Sequence, residues 1–143
     1  YAYGDETASR KVARAIVAAR HRRPISTTFE LVDAILSVLP RKPWMKTHPA
    51  TKTFQALRIT VNDEYAVVRE ALAKGFEKLV SGGRFAVITF HSGEDRIVKN
   101  FFRDRAHEGL AVLITKKPIT PSDAELAANP RARSAQLRII QKS

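Results

Sequence analysis

The sequence contains no cysteine, which excludes disulfide bonds and thiolate metal sites and fits a reducing compartment. No apolar run reaches the length of a membrane-spanning helix. The common cofactor and metal motifs are also missing: there is no G-x-G-x-x-G, no P-loop, no H-E-x-x-H and no G-x-S-x-G. We therefore expect neither a membrane partner nor a metal site.

Positive charge is what the sequence has in excess. Lys and Arg number 25 against 14 Asp and Glu, a net charge of +11. Residues 1–50 carry nine basic and four acidic side chains, residues 51–100 eight and six, and residues 101–143 eight and four. Because the excess is spread through segments that should fold, we expect a polyanionic partner, most simply a nucleic acid. Simple solubility is the alternative.

The first half of the chain has helical periodicity. An amphipathic helix is predicted before Pro24, with Val12, Ala13, Ile16 and Val17 on its apolar face. A second helix should open with a capping box, Thr27 to Glu30, and stop at Pro40. The periodicity then resumes from Phe54 to Leu79, in one long helix or in two helices broken near Asn62.

The second half adds strands. Arg84–Phe90 is apolar at nearly every position, which predicts a strand buried on both faces, as in a parallel sheet. Two later strands, at 110–115 and 134–141, could pair as an antiparallel edge. Three strands after several helices predict the second half of a doubly wound α/β domain with a helical module in front of it.

The segment "HSGED", residues 91–95, follows the first strand and allows three interpretations. A metal site would need a companion cluster, and a catalytic dyad would need an orienting partner, and the sequence shows neither. A helix start is the simplest interpretation, with Ser92 as the cap and Asp95 in the fourth place of the box. His91 is then unexplained, because a cap does not require it.

Two loops could contact a polyanion. His48 and Pro49 precede a helix in a segment that also holds Trp44, Lys46 and Lys52, so it is either a capped loop or a substrate loop. Residues 129–134, "NPRARS", place two arginines on a turn. This turn is either a solvated loop or a phosphate contact, since arginine forks suit phosphate oxygens.

Four segments carry a specific resemblance: "HPATKTFQALRITVNDE", "GGRFAVITFHSGEDRIVKNFF", "ITKKPITPSDAEL" and "NPRARSAQLRI". Together they resemble the small-subunit ribosomal RNA (cytosine-N4)-methyltransferase family of bacteria and organelles, over nearly the whole chain. That family transfers a methyl group from S-adenosylmethionine to a cytidine in the decoding centre of the ribosomal small subunit. One departure is Gly93, where the family usually has Leu.

The resemblance implies an α/β fold, the C-terminal part of a class I (Rossmann-like) methyltransferase sheet preceded by an α-helical insertion. Residues 1–50 would be the insertion, which recognises substrate, and residues 51–143 the C-terminal half of the methyltransferase domain. The family's principal ligands for the methyl donor have no counterpart here and are expected upstream of this chain, so no cofactor-binding residue is assigned. A missing N-terminal half of the same enzyme is a possible partner.

The resemblance also implies site residues. His91 and Asn62 are the catalytic candidates. Arg58 and Asn62, one turn apart, should share a helix face. The candidates for contact with substrate RNA are His48, Lys52, Arg58, Ser92, Arg96, Arg131 and Arg133.

Two functions stay open at this point. The chain is either the RNA-recognition side of a cytoplasmic rRNA methyltransferase, or a catalytically inactive remnant that binds rRNA or an assembling small subunit. A mitochondrial or plastid matrix is the alternative location. A DNA-binding domain is a weaker third possibility, because the first two helices lack a tight helix-turn-helix spacing.

Overall fold

Six α-helices, three strands and one 3-10 helix make up the structure, a computed structural model that describes residues 1–143. The chain divides into two units, residues 1–62 and residues 63–143, each with a hydrophobic core of its own. In chain order the elements are α1 (Ser9–Arg22), α2 (Thr28–Leu36), α3 (Thr51–Val61), α4 (Glu64–Lys78), β1 (Arg84–Thr89), α5 (Ser92–His107), β2 (Ala111–Leu113), α6 (Asp123–Ala128), the 3-10 helix (Pro130–Ser134) and β3 (Gln136–Lys142).

The first unit packs α1, α2 and the start of α3 around a small core. Its fully buried members are Val12, Ile35 and Ala50. The predicted apolar face of α1 is half right: Val12 and Ile16 pack inward, whereas Ala13 and Val17 are exposed. Ala15 and Ala19 are partly buried instead. They lie on the same face as Val12 and Ile16, because helical residues three or four positions apart share a face.

The start of α2 is the predicted capping box. The Thr27 hydroxyl accepts the Glu30 backbone N–H at 3.2 Å, and the Glu30 carboxylate accepts the Thr27 N–H at 3.0 Å. The helix ends at Leu36, four residues before Pro40, and the chain continues in turns. The capping box is therefore confirmed, and the predicted helix end was late.

The long periodic stretch from Phe54 to Leu79 forms two helices, so of the two alternatives the one with a break near Asn62 is correct. Asn62 ends α3, and Asp63 takes a left-handed conformation with φ of 49°. Aspartate tolerates this region better than most residues, and a helix cannot pass through it. The backbone conformation of Asp63 thus interrupts the helix, although the apolar periodicity continues through this position.

The three strands form one antiparallel sheet in the order β1-β3-β2. The predicted antiparallel pairing of the two late strands is confirmed. The prediction that β1 is buried on both faces, as in a parallel sheet, was wrong: burial alternates along the strand, and Ile88 is 58% exposed. Helix α5 covers only one face, and apolar composition alone does not say how many layers cover a strand.

The second core lies between that covered face and helices α4 and α5. Val98 and Phe102 of α5 and Ile140 of β3 are its most buried members, with Leu72 and Phe76 of α4 beside them. The predicted α/β class is confirmed, and the small sheet behind a run of helices is consistent with the C-terminal part of a methyltransferase domain. None of the helices combines the length and the apolar character needed to cross a bilayer.

Candidate functional site

The junction between β1 and α5 begins with a histidine cap. His91 is the N-cap of α5, and its Nδ1 accepts the Glu94 backbone N–H at 3.3 Å. The prediction that Ser92 caps this helix with Asp95 was wrong, because Ser92 is already the first helical residue. The ring nitrogen reaches the same N–H group that a serine hydroxyl would have reached from that position.

Glu94 completes the arrangement from inside the helix. Its Oε2 accepts the Phe90 backbone N–H at 3.1 Å, while its Oε1 lies 3.1 Å from His91 Nε2. Because Nδ1 accepts a hydrogen bond, the neutral ring carries its proton on Nε2, the nitrogen that faces this carboxylate. Nε2 is buried and makes no hydrogen bond, because its geometry towards the nearby Glu94 carboxylate is unsuitable. His91 is thus held by the helix that it caps.

Tyr65 of α4 packs under the same junction and accounts for a glycine at position 93. The Tyr65 ring centroid lies 6.0 Å from that of His91, and a Cβ placed at Gly93 would overlap the Tyr65 hydroxyl. Tyr65 is buried. Position 93 therefore has no room for a side chain, because a tyrosine from the neighbouring helix occupies that space.

A buried ion pair ties the first turn of α5 to the central strand. Arg138 of β3 donates from Nε to Asp95 Oδ1 at 2.7 Å and from its second terminal nitrogen to Oδ2 at 2.9 Å. This two-point geometry fixes both side chains, which are only 9% and 14% exposed. Asp95 therefore binds Arg138 of β3 and takes no part in the cap. No local pattern in the sequence pointed to Arg138.

The junction between β1 and α5 leaves no open space beside Gly93. Doubly wound folds hold nucleotide-like cofactors where a strand passes into a helix, with glycine backbone close to the ligand. Gly93 is the one glycine of this chain at such a junction, and the Tyr65 side chain fills the space beside it. No group of three or more His, Asp or Glu side chains is placed to hold a metal ion.

The first unit carries four of the predicted site residues, all on or beside α3. His48 Nδ1 accepts the Ala50 backbone N–H at 3.2 Å, and this hydrogen bond fixes the backbone just before α3 begins. Lys52 donates to the Asp5 carbonyl at 3.0 Å. Arg58 and Asn62 lie one turn apart at the other end, and both are exposed.

The second unit carries the other five. His91, Ser92 and Arg96 are brought together at the start of α5, where Ser92 and Arg96 are exposed. Arg131 and Arg133 lie on a separate segment, the 3-10 helix that Asn129 caps by accepting the Arg131 N–H at 3.2 Å. Both arginines are exposed on either side of buried Ala132, and neither guanidinium group forms an ion pair with a carboxylate.

Comparison with known proteins gives one consistent answer. A family model described as the MraW methylase family matches residues 1–143. Proteins named ribosomal RNA small subunit methyltransferase H are similar to this chain: one from Leptospira interrogans is 51% identical over 144 residues, covering 100% of this chain and 43% of that protein.

Two further relatives of the same name agree. One from Methylobacterium sp. is 49% identical and one from Geobacter sp. is 48% identical; they cover 100% and 98% of this chain. Their own lengths are covered to 47% and 50%. The chain thus spans about half the length of the curated relatives it matches.

Proposed function

The chain belongs to the MraW methylase family, and from that membership we propose that it supplies the RNA-recognising side of a small-subunit rRNA methyltransferase. The proposed reaction of the whole enzyme is transfer of a methyl group from S-adenosylmethionine to the N4 amine of a cytidine in the decoding centre. The match of the family model to every residue of the chain carries this proposal.

The exposed basic side chains support an RNA-facing role. An rRNA substrate is a polyanion, and the net charge of +11 draws it to the protein by releasing counterions. Arg131 and Arg133 present guanidinium groups that no carboxylate of the chain neutralises. Such groups can donate two parallel hydrogen bonds to a phosphate.

The individual assignments follow from this role. Methylation of an exocyclic amine requires the base to leave its stack and its nitrogen to be aimed at the methyl group. We assign His91 and Asn62 to the neighbourhood of the reacting cytidine. The residues proposed to contact the surrounding RNA are His48, Lys52, Arg58, Ser92, Arg96, Arg131 and Arg133.

The modules and location are part of the same proposal. Residues 1–50 are assigned to the helical insertion that recognises substrate, and residues 51–143 to the methyltransferase domain. The expected partner is the small ribosomal subunit or its rRNA, and the expected location is the bacterial cytoplasm, as the bacterial relatives suggest.

A salt titration of RNA binding tests the assignment of the two arginines. Replacing Arg131 and Arg133 with alanine should weaken binding of a small-subunit rRNA fragment and reduce the slope of log K against log salt by about 1.4, since a single-stranded phosphate contact contributes roughly 0.7. Fluorescence anisotropy of the labelled fragment measures both quantities.

The matched control is Lys116→Ala with Lys117→Ala. It removes the same charge from exposed positions that form no ion pair and carry no assigned role. An equal loss of slope in both double variants would show a general charge effect and would remove Arg131 and Arg133 from the RNA site.

The filled space beside Gly93 favours a second candidate, a binding module that docks on rRNA without transferring a methyl group. A transfer assay separates the two: the 143-residue chain is incubated with unmethylated small subunits and methyl-labelled S-adenosylmethionine. Label in the rRNA would establish a complete enzyme. If the chain binds rRNA without labelling it, and labelling appears when the remaining half of a relative is added, the chain is the RNA-recognising side of the enzyme. If the chain binds rRNA and labelling never appears, the result favours the binding module.

A further inference from the structure

The loop between α2 and α3 presents a single aromatic side chain at the tip of a turn. Trp44 is the only tryptophan in the sequence and is 75% exposed. The Lys42 carbonyl accepts the Met45 N–H at 3.0 Å, which closes a four-residue turn with Pro43 in its second position and Trp44 in its third. The fixed φ of proline holds the backbone of such a turn in shape, so the backbone that carries the indole has less freedom to lose on binding.

The surroundings of Trp44 are basic. No acidic residue occurs between Asp33 and Asp63, a stretch that contains Arg41, Lys42 and Lys46. All three of these basic side chains are exposed. A surface of one charge sign around an exposed aromatic ring is complementary to a polyanion that also carries flat aromatic groups, which describes single-stranded nucleic acid.

The ring itself is already in contact with a cation. Lys42 Nζ lies 5.2 Å from the centroid of the Trp44 ring, a cation–π contact that occupies one face of the indole. The loop thus combines the two elements that sequence-tolerant single-strand sites use, a stacking platform and neighbouring cations.

We propose that residues 41–46 form a stacking site for an unpaired RNA base, with Trp44 as the platform and Arg41, Lys42 and Lys46 on the flanking phosphates. The site deepens the proposed function, on which it rests for the identity of the ligand. It adds a contact for an unpaired nucleotide in the first unit, separate from the residues assigned at the start of α5.

The lone tryptophan makes the test direct. The full chain is titrated with a fluorescently labelled single-stranded oligoribonucleotide, and binding is followed by anisotropy while Trp44 emission is recorded in parallel. Stacking predicts saturable quenching of Trp44 that follows the binding curve. An abasic oligonucleotide of the same length has the same phosphates and no bases, so it should bind more weakly and leave the emission nearly unchanged.

Variants separate stacking from charge. Trp44→Ala should weaken binding roughly 5- to 100-fold, and Trp44→Phe should restore most of the affinity. Phe29→Ala is the matched control, because Phe29 is an 80% exposed aromatic residue of the same unit outside the basic loop, and its removal should leave the affinity unchanged.

The outcomes distinguish this site from the proposed function. RNA binding without quenching, and with full affinity in Trp44→Ala, would overturn the stacking site and leave the proposed function standing. Equal quenching by the abasic oligonucleotide would also overturn it, as would a chain that is dimeric with Trp44 covered by the second copy. Absence of any RNA binding by the unaltered chain would overturn both proposals.

Discussion

Helices α2 and α5 begin with the same device in two different environments. In each, the N-cap side chain accepts the backbone N–H of a glutamate three residues on, and that glutamate accepts a backbone N–H from the preceding segment. Each also has an arginine paired with a carboxylate of the first turn: Arg23 with Glu30, and Arg138 with Asp95. Local hydrogen bonding is therefore common to both starts.

Burial is what differs. Arg23 is 74% exposed and lies 3.5 Å from its partner, whereas the Arg138 pair is almost out of solvent and bonded at two points. The second helical position is the exposed Phe29 in α2 and the enclosed Gly93 in α5. The comparison teaches that a capping sequence sets where a helix begins, and that packing around it sets how much each residue matters.

The largest effect should come from the buried ion pair. Arg138→Met leaves the Asp95 carboxylate buried without its partner, and we expect it to lower the free energy of unfolding by about 3–5 kcal/mol. Arg23→Met, the equivalent change at α2, should cost about 1 kcal/mol or less. Urea denaturation followed by circular dichroism compares the two, and equal losses would mean that burial does not distinguish them.

Overpacking at position 93 should come next. Gly93→Leu places a side chain where the Tyr65 hydroxyl lies, so we expect a loss of about 1–3 kcal/mol in unfolding free energy. Adding Tyr65→Leu should recover most of that loss, because it empties the same space. Phe29→Leu at the matching position of α2 should change little. A double variant no more stable than Gly93→Leu would show that Tyr65 is not the obstacle.

The two N-cap side chains should contribute about equally to the free energy of unfolding. His91→Ala and Thr27→Ala each leave a backbone N–H unsatisfied and should each cost about 1 kcal/mol in unfolding free energy. His91→Asn keeps an acceptor at the cap, so its stability should stay close to that of the unaltered chain. If His91 also contacts the RNA, His91→Asn should weaken rRNA binding while Thr27→Ser does not, and unchanged binding would confine His91 to the cap.

The smallest effect concerns pH at α2. Hydrogen bonds from the backbone N–H groups of Ser26 and Thr27, with a smaller contribution from Arg23, hold the pKa of Glu30 below its ordinary value of 4.5. A lowered folded-state pKa means that the stabilisation is fully present above pH 4.5 and is lost as the pH falls through the lowered value. The difference in stability between the unaltered chain and Glu30→Gln should therefore shrink on acidification, and a constant difference would contradict this origin.

Local sequence was enough for some of these features and not for others. The box at Thr27 could be predicted because both partners lie three residues apart. The cap of α5 was assigned to Ser92 since serine is the commoner cap, and only the structure shows that His91 takes that role. Arg138 and Asp95 are 43 residues apart, so nothing local connects them.

The sheet shows the same limit. Apolar residues on both sides of β1 predicted two covered faces, yet which layers lie against a strand is decided by distant parts of the chain. Gly93 was the one local sign of a close contact at this junction, and the residue that makes the contact, Tyr65, comes from another helix.

One calorimetric experiment tests the central claim most directly, namely that these 143 residues recognise RNA without holding the methyl donor themselves. The chain is titrated first with a small-subunit rRNA fragment at low salt and then, as the complex, with S-adenosylmethionine. We predict heat of binding for the RNA, diminishing as salt is raised, and none for the donor. Saturable heat with S-adenosylmethionine, or none with the RNA, would contradict it.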